Sequence, residues 1–330
     1  MGGDLGPAEV CRGVLQAAAK SSSEFVLVGA EAALRAELAR HKPALSNVRL
    51  LNAAQVIQMD EPPAQAMRSK PDASLVVAAR EVKLGNADAL LSIGNTGAAM
   101  AVSLLTFGRL KGIDRPAIAT LLPSMRNPMV MLDAGATVDC EPKNLLQFAV
   151  MGTIFAREVL GITKPRIGLL SNGEEDAKGN YLVKGANELL RDAAKRRTEL
   201  NFIGNVEGRS IFSGDWDVVV CDGFVGNVVL KTGEGVAEMV MRLVKQELER
   251  HRWMKPMLVP LLPAMRRLKG RLEYSAYGGA PLLGVNGLVF IGHGRSNAIA
   301  VANACHAVDR AVEHDMLGAL RDQLCSMEMA

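Results

Sequence analysis

Aromatic side chains are scarce, at eight Phe, three Tyr and two Trp in 330 residues. So few π-faces cannot supply the stacking platforms that hold single-stranded nucleic acid. A formal net charge of +3 also lacks the concentrated basic face that duplexes need, so nucleic acid is excluded as a partner. Cysteine is equally sparse. Cys11, Cys140, Cys221, Cys305 and Cys325 show no Cys-x-x-Cys spacing, which argues against a zinc site or a disulfide framework and for packed thiols in a reducing cytosol. No uncharged apolar run approaches the roughly 18 residues of a membrane span, and the chain opens on polar Gly2-Gly3-Asp4 rather than a secretory leader. Neither export nor membrane integration is expected. With no Pro/Gly/Ser linker and no internal repeat, residues 1–330 read as one domain.

What is present points to a large α/β core. Hydrophobic residues make up 49% and charged residues 22% of the chain, well inside the folded range. Short Val/Ile/Leu runs ending in Gly, Asn or Asp alternate with Ala-, Leu- and Glu-rich stretches, the pattern of βα units in a mainly parallel sheet. Strands are predicted near Phe25–Gly29, Val48–Asn52, Ala89–Ile93, Ala117–Leu122, Val130–Asp133, Arg166–Leu170, Phe202–Asn205, Val218–Cys221 and Leu288–Ile291. Helices are predicted over Glu31–Arg40 and Val236–Arg250, among others. Ligands of such sheets bind at the carboxyl ends of strands, where helix N-termini present free N–H groups and a positive dipole end.

Five strand-end motifs follow from that rule. In Ser92-Ile93-Gly94-Asn95-Thr96-Gly97, the glycines permit close backbone approach and Asn95 or Thr96 can cap the following helix, a turn suited to an oxyanion. Ordinary βα turn chemistry explains the same residues. Asp133-Ala134-Gly135-Ala136 ends another strand. There Asp133 is placed to orient a ligand or a basic side chain, and Asp139 to cap the helix after Pro142. The loop Ser171–Lys184 carries Lys178, Asn180 and Lys184 as phosphate-binding candidates, against the plainer reading of a solvated charged loop. Cys221-Asp222-Gly223-Phe224-Val225-Gly226-Asn227, with Lys231 one turn on, offers a second anion-binding helix start. Last, Tyr277-Gly278-Gly279-Ala280-Pro281-Leu282-Leu283-Gly284 reads as a shaped apolar wall for an acyl chain. It leads to His293, which stands between two glycines at a strand end.

A sixth stretch differs in kind. Pro256, Pro260 and Pro263 deny residues 251–269 one regular helix, yet Trp253, Met257, Leu258, Val259, Leu261 and Leu262 make it strongly apolar. Basic residues at 250, 252, 255, 266, 267, 269 and 271 flank it without an acid among them. That combination suits an anionic membrane surface, with a helical hairpin at a dimer interface as the other reading.

Taken in order along the chain, the Gly94–Gly97, Gly112-Ile113-Asp114-Arg115-Pro116, Asp133–Ala136, Cys221–Asn227 and Tyr277–Gly284 motifs resemble the PlsX family of acyl-carrier-protein:phosphate acyltransferases. The resemblance implies a three-layer α/β/α fold with a mainly parallel sheet, like isocitrate and isopropylmalate dehydrogenases, and a projecting helical segment near 236–272. It implies a homodimer held peripherally on the inner face of the cytoplasmic membrane, contacting it through Trp253–Leu262. It also implies transfer of a long-chain acyl group from acyl carrier protein to inorganic phosphate, supplying acyl phosphate to a membrane-bound glycerol-3-phosphate acyltransferase. No metal and no cofactor are expected. Lys184, Asn227 and His293 are the candidate catalytic residues. Gly94, Asn95, Thr96, Gly97, Asp133, Lys178, Asn180, Asp222, Gly226, Gly278 and Gly279 are the candidates for substrate binding. The turn at Gly94–Gly97 and Lys184 together are expected to hold phosphate, with Asn227 or nearby N–H groups on the oxyanion.

Two departures accompany the resemblance. The family opens with a short hydrophobic strand before Asp-Ala-Met-Gly-Gly-Asp, whereas this chain starts at Met1-Gly2-Gly3-Asp4, so a sheet short of its first strand is expected. Ala177 stands where many relatives have Gly. The rival activities are a coenzyme-A-dependent phosphate acyltransferase and a membrane scaffold that recruits carrier protein. A dehydrogenase is disfavoured because no GxGxxG follows a strand with an acid about 20 residues on.

Overall fold

The structure is a computed structural model that describes residues 2–41, 45–58, 61–250 and 278–328. The expected membrane-contact residues Trp253, Met257, Leu258, Val259, Leu261 and Leu262 lie outside the described residues, as does most of the projection beyond 250.

Helices and strands alternate in chain order: α1 (Gly6–Ala18), β1 (Phe25–Gly29), α2 (Glu31–Leu38), β2 (Val48–Asn52), α3 (Pro63–Ser69), α4 (Ser74–Lys83), β3 (Ala89–Ile93), α5 (Thr96–Phe107), β4 (Ala117–Ile118), β5 (Thr120–Leu122), β6 (Met129–Leu132), α6 (Pro142–Glu158), β7 (Ile167–Ser171), α7 (Tyr181–Arg196), β8 (Phe202–Glu207), β9 (Val218–Val220), α8 (Gly223–Arg250), β10 (Ala280–Leu283), β11 (Leu288–Gly292), α9 (Ala298–Glu313) and α10 (Met316–Glu328). The strands form three ladders, β1-β2, β3-β11-β10-β4 and β5-β6-β9-β7-β8. Parallel pairing dominates, and helices cover both faces, as the βα alternation requires.

The core is double. On one face α6 is buried on nearly all sides, and its Phe148, Met151 and Ile154 pack with Leu190 of α7 and Leu320 of α10. On the other, Val76 of α4, Val102 of α5 and Leu230 of α8 meet Met131, Val219 and Val289 of the sheet. A smaller cluster joins Cys11 and Val14 of α1 to Val301 of α9 and Leu27 of β1. Among the described residues β1 pairs with β2 and β3 with β11. Between β1 and β3 runs a cleft of about 460 Å³ whose walls include Val26, Val28, Leu91 and Ile93.

Two expectations are corrected. The predicted strand 117–122 is divided at Ala119. There its N–H turns to the Pro281 carbonyl (3.0 Å), so the first part pairs with β10 and the second with β6. The run Ala280–Leu283 is not a wall for an acyl chain but β10, antiparallel to both β11 and β4, with all four residues buried. A proline next to paired glycines concealed it. Pro281 has no N–H but still accepts through its carbonyl, so the short strand tolerates it.

Candidate functional site

Strand direction decides which turns can share a ligand. The run through β4 and β5 is parallel to β11, since both lie antiparallel to β10, but β5 is antiparallel to β6. Followed ladder by ladder, β3 and β11 therefore run opposite to β6, β9, β7 and β8. Their carboxyl-terminal turns lie on opposite rims of the sheet.

On the first rim, β3 and β11 end side by side, Ile93 paired with Gly292. Gly94 sits at φ +148°, where a Cβ would lie 2.6 Å from the Gly2 carbonyl oxygen, so the N-terminal Gly2-Gly3-Asp4 segment seals this turn. Asp4 N–H donates to the Gly294 carbonyl (2.8 Å) and ties the same segment to the β11 turn. Asn95 is the N-cap of α5. Its Oδ1 accepts from Ala98 N–H (2.9 Å) and its Nδ2 donates to the Gln58 carbonyl (3.2 Å). The Thr96 and Gly97 N–H groups have no protein acceptor among the described residues, so the positive end of α5 presents them to solvent. Gly278 and Gly279 reach this rim too but are tucked under α9: a Cβ on Gly278 would lie 2.9 Å from the Asn303 carbonyl oxygen. They pack against α9 and, with Ala280 and Pro281, line only a small pocket of about 20 Å³.

On the second rim, Asp133 is fully buried. Its Oδ1 accepts from the N–H groups of Ile118 (2.8 Å), Gly135 (3.0 Å) and Ala136 (3.0 Å), and its Oδ2 from Thr137 (2.6 Å). Burial pushes its carboxyl pKa above the ordinary value even against those four donors. Fully buried and holding four N–H groups, Asp133 shapes its turn instead of meeting substrate. Asp222 is also committed, its Oδ1 accepting from Val225 N–H (2.9 Å), while Gly223 N–H donates to the Thr137 carbonyl (2.8 Å). At the start of α8 the Gly223, Val225 and Gly226 N–H groups are thus occupied from within the protein. Of the first turn's donors only Phe224 N–H lacks a protein acceptor among the described residues, fewer than a second anion site was expected to offer. Asp139 is exposed and does not cap α6. Glu141 does, in a capping box with Asn144. Exposed Asn227 lies over Gly135, where a Cβ would come 3.5 Å from the Asn227 Cβ.

The lysine loop stands apart. Asn172 Oδ1 accepts from Gly179 N–H (2.8 Å), and Asn180 caps α7 by accepting from Val183 N–H (2.9 Å). Lys178 and Lys184 are exposed and form no ion pair among the described residues. Six strand spacings separate β3 from β7 when β4 and β5 count as one run, roughly 25–30 Å at the usual strand separation. Within one chain, then, Lys184 and the Gly94–Gly97 turn do not grip one phosphate, and the expected pairing of the two is corrected.

One helix links the rims. From the β9 end, α8 runs back across the sheet face, bringing exposed Lys231 to the β11 turn with its Nζ 3.4 Å from Nε2 of His293. Asn227 lies one turn earlier on the same helix. Reasoning from sequence named His293 and Asn227 as functional and set Lys231 beside the start of α8, but did not bring it to His293, because nothing in the sequence tells that α8 reaches β11.

Cys11, Cys140, Cys221 and Cys305 are poorly disposed to act as nucleophiles. Burial pushes the Cys140 and Cys305 thiols up to about 12 and Cys221 well above the ordinary thiol range, and it raises Cys11 as well.

The chain matches the family described as fatty acid synthesis protein over residues 1–318. It is 50% identical over 329 residues to a phosphate acyltransferase of Pelotomaculum thermopropionicum, covering 100% of this chain and 94% of that one. To a phosphate acyltransferase of Heliobacterium modesticaldum it is 49% identical over 325 residues, covering 98% and 96%. Among solved structures it resembles a EutD phosphotransacetylase from Staphylococcus aureus, with a TM-score of 0.59 and 15% identity over 92% of each chain. It likewise resembles a phosphotransacetylase from Streptococcus pyogenes, with a TM-score of 0.59 and 17% identity over 92% and 91%. At these identities the two structures speak for the fold alone.

Proposed function

The chain belongs to the fatty acid synthesis protein family, the PlsX family of phosphate acyltransferases, and from that premise we propose that it moves a long-chain acyl group from acyl carrier protein to inorganic phosphate. A phosphate oxygen attacks the thioester carbonyl carbon, and a C–O bond forms through a tetrahedral oxyanion. The C–S bond then breaks, and the departing thiolate takes up a proton as the carrier thiol. Acyl phosphate is the other product.

The observation that carries this reading is the entry to α5. Gly94, bare at Cα, lets the backbone close on Gly2, and the Thr96 and Gly97 N–H groups stand without a protein acceptor among the described residues. Such a turn binds a dianion through aligned N–H donors and the helix dipole. His293 ends the neighbouring strand. Asn227 is assigned to the oxyanion, where one well-placed amide donor accounts for about 10²–10³ in rate. The buried, poorly ionised thiols favour direct transfer over an acyl-cysteine.

Lys178 and Lys184 are assigned to docking of the acidic carrier, since exposed lysines without carboxylate partners steer an anionic protein. The apolar residues Val236, Met239, Val240 and Leu243 are exposed on the outer half of α8, which supports pairing with a second copy of the chain. No helix among the described residues is long and apolar enough to cross a membrane. Association with the inner membrane face is assigned to residues 253–262, on their apolar and basic composition. Delivery of the product to a membrane-bound glycerol-3-phosphate acyltransferase belongs to the same proposal.

The test incubates long-chain acyl carrier protein, or the matching acyl-coenzyme A, with orthophosphate and follows acyl phosphate and free thiol. Equal amounts of both products from the carrier substrate support the reading. Turnover of the coenzyme A thioester alone refutes the carrier assignment, and no turnover of either refutes the whole.

A further inference from the structure

Lys231 has no part in the reaction so far. We propose that Lys231 and His293 form a clamp for a phosphoryl oxyanion of the reaction's substrates, an assignment that rests on the phosphate acyltransferase reading.

The argument begins with the imidazole. Arg295 N–H donates to His293 Nδ1 (3.1 Å), which makes that nitrogen the acceptor and leaves the ring proton on Nε2. Nε2 faces Lys231 Nζ at 3.4 Å, and an ammonium has three donors and no lone pair. Two donors therefore converge on one place without an acceptor between them. Glu234 Oε2 accepts from Nζ (3.0 Å) and steers the ammonium, occupying one of its three hydrogens.

Packing does not demand this contact, because both residues are exposed, Lys231 by about half. They come from opposite rims of the sheet, 62 residues apart in the chain. An oxyanion lying against both nitrogens converts the donor–donor contact into two charge-assisted hydrogen bonds, and the spread oxygens of a phosphoryl group fit such a pair. The setting agrees. One strand over, the start of α5 presents the free Thr96 and Gly97 N–H groups. Asn227 precedes Lys231 by four residues, which places their Cβ atoms about 5–6 Å apart on one helix face. The clamp thus lies between the phosphate-binding turn and the amide assigned to the oxyanion.

Orthophosphate and a phosphate ester carried by the acyl donor present the same chemistry to this pair. The experiment compares the wild-type protein with Lys231→Met, Lys231→Arg and His293→Gln. Orthophosphate is varied at saturating acylated carrier protein, and the donor is then varied at saturating orthophosphate, using the acylated carrier protein and phosphate-free acyl-pantetheine. Orthophosphate binding without donor is read by calorimetry.

A KM for orthophosphate raised about ten- to hundredfold in Lys231→Met, with a smaller change in kcat and partial recovery in Lys231→Arg, supports the clamp with orthophosphate as its ligand. A KM shift for acyl carrier protein but not for acyl-pantetheine supports it with the ester. Unchanged KM values in both Lys231→Met and His293→Gln overturn it. If the wild-type protein forms no acyl phosphate, the wider reading fails while the clamp is judged on calorimetry. Weakened orthophosphate binding in Lys231→Met then supports it, and equal binding, or none by the wild type, overturns it.

Discussion

A Cβ on Gly226 would lie 1.9 Å from the carbonyl oxygen of Asp133, inside any permissible contact. The first turn of α8 is thereby pressed onto the turn that follows β6, where the Asp133 carboxylate gathers the N–H groups of Gly135, Ala136 and Thr137 together with that of Ile118 in β4. Asn227, the next residue, owes its position over Gly135 to this close approach.

Gly226→Ala is expected to cost more than about 3 kcal/mol, because backbone rather than a pliable side chain must move. Gly235, farther along the same helix, has open space around it, so Gly235→Ala should instead stabilise by about 0.5–1 kcal/mol through helix propensity. Thermal melts of the two variants decide. Equal midpoints contradict the packing described.

Asn227→Ala should lower kcat by about 10²–10³ while leaving the melting midpoint near that of the wild type, since the side chain is exposed. Steady-state kinetics beside a melt separates the two effects. A variant with wild-type kcat removes Asn227 from the chemistry.

Thiol reagents should barely touch Cys140 near neutrality. With its thiol at about 12, only about one part in 10⁴ is thiolate at pH 8, against roughly a quarter for an ordinary cysteine. Iodoacetamide labelling followed by peptide mass analysis should show Cys140 reacting slowly at pH 8 and faster as pH climbs toward the raised value. Rapid labelling of Cys140 in the folded protein at pH 8 would refute the burial argument.

Asp217 joins the starts of β7 and β9. It accepts from the Arg166 backbone N–H (2.8 Å), Nε (2.9 Å) and Nη2 (3.0 Å). Burial works to raise its carboxyl, but these bonds prevail and hold it below the ordinary range. A depressed folded pKa stabilises above the unfolded value, near 4, and that stabilisation is lost as pH falls through the lower folded value. Asp217→Asn should therefore cost about 1–3 kcal/mol at neutral pH, with the gap to wild type closing in acid. Denaturant melts across pH test this, and a gap constant down to about pH 2 would contradict it.

Much of this was legible in the chain. Local patterns placed β1, β2 and β3 at their observed bounds, because a run of Val, Ile and Leu closed by Gly, Asn or a capping residue is a short-range signal. The α5 entry was legible for the same reason: Gly94 supplies the turn and Asn95 the cap within four residues. β10 was not, since Pro281 and its glycine neighbours imitate a loop until partner strands on both sides satisfy the backbone.

By itself the sequence determined the α/β alternation, the capped turns and, through full-length likeness, the family. Those features depend on neighbours along the chain. Tertiary structure alone decided which turns meet, because strand direction is a property of pairing. The three antiparallel pairings β11–β10, β10–β4 and β5–β6 send the Lys184 loop to one rim and Gly94 to the other, while α8, crossing the sheet face, carries Lys231 to His293.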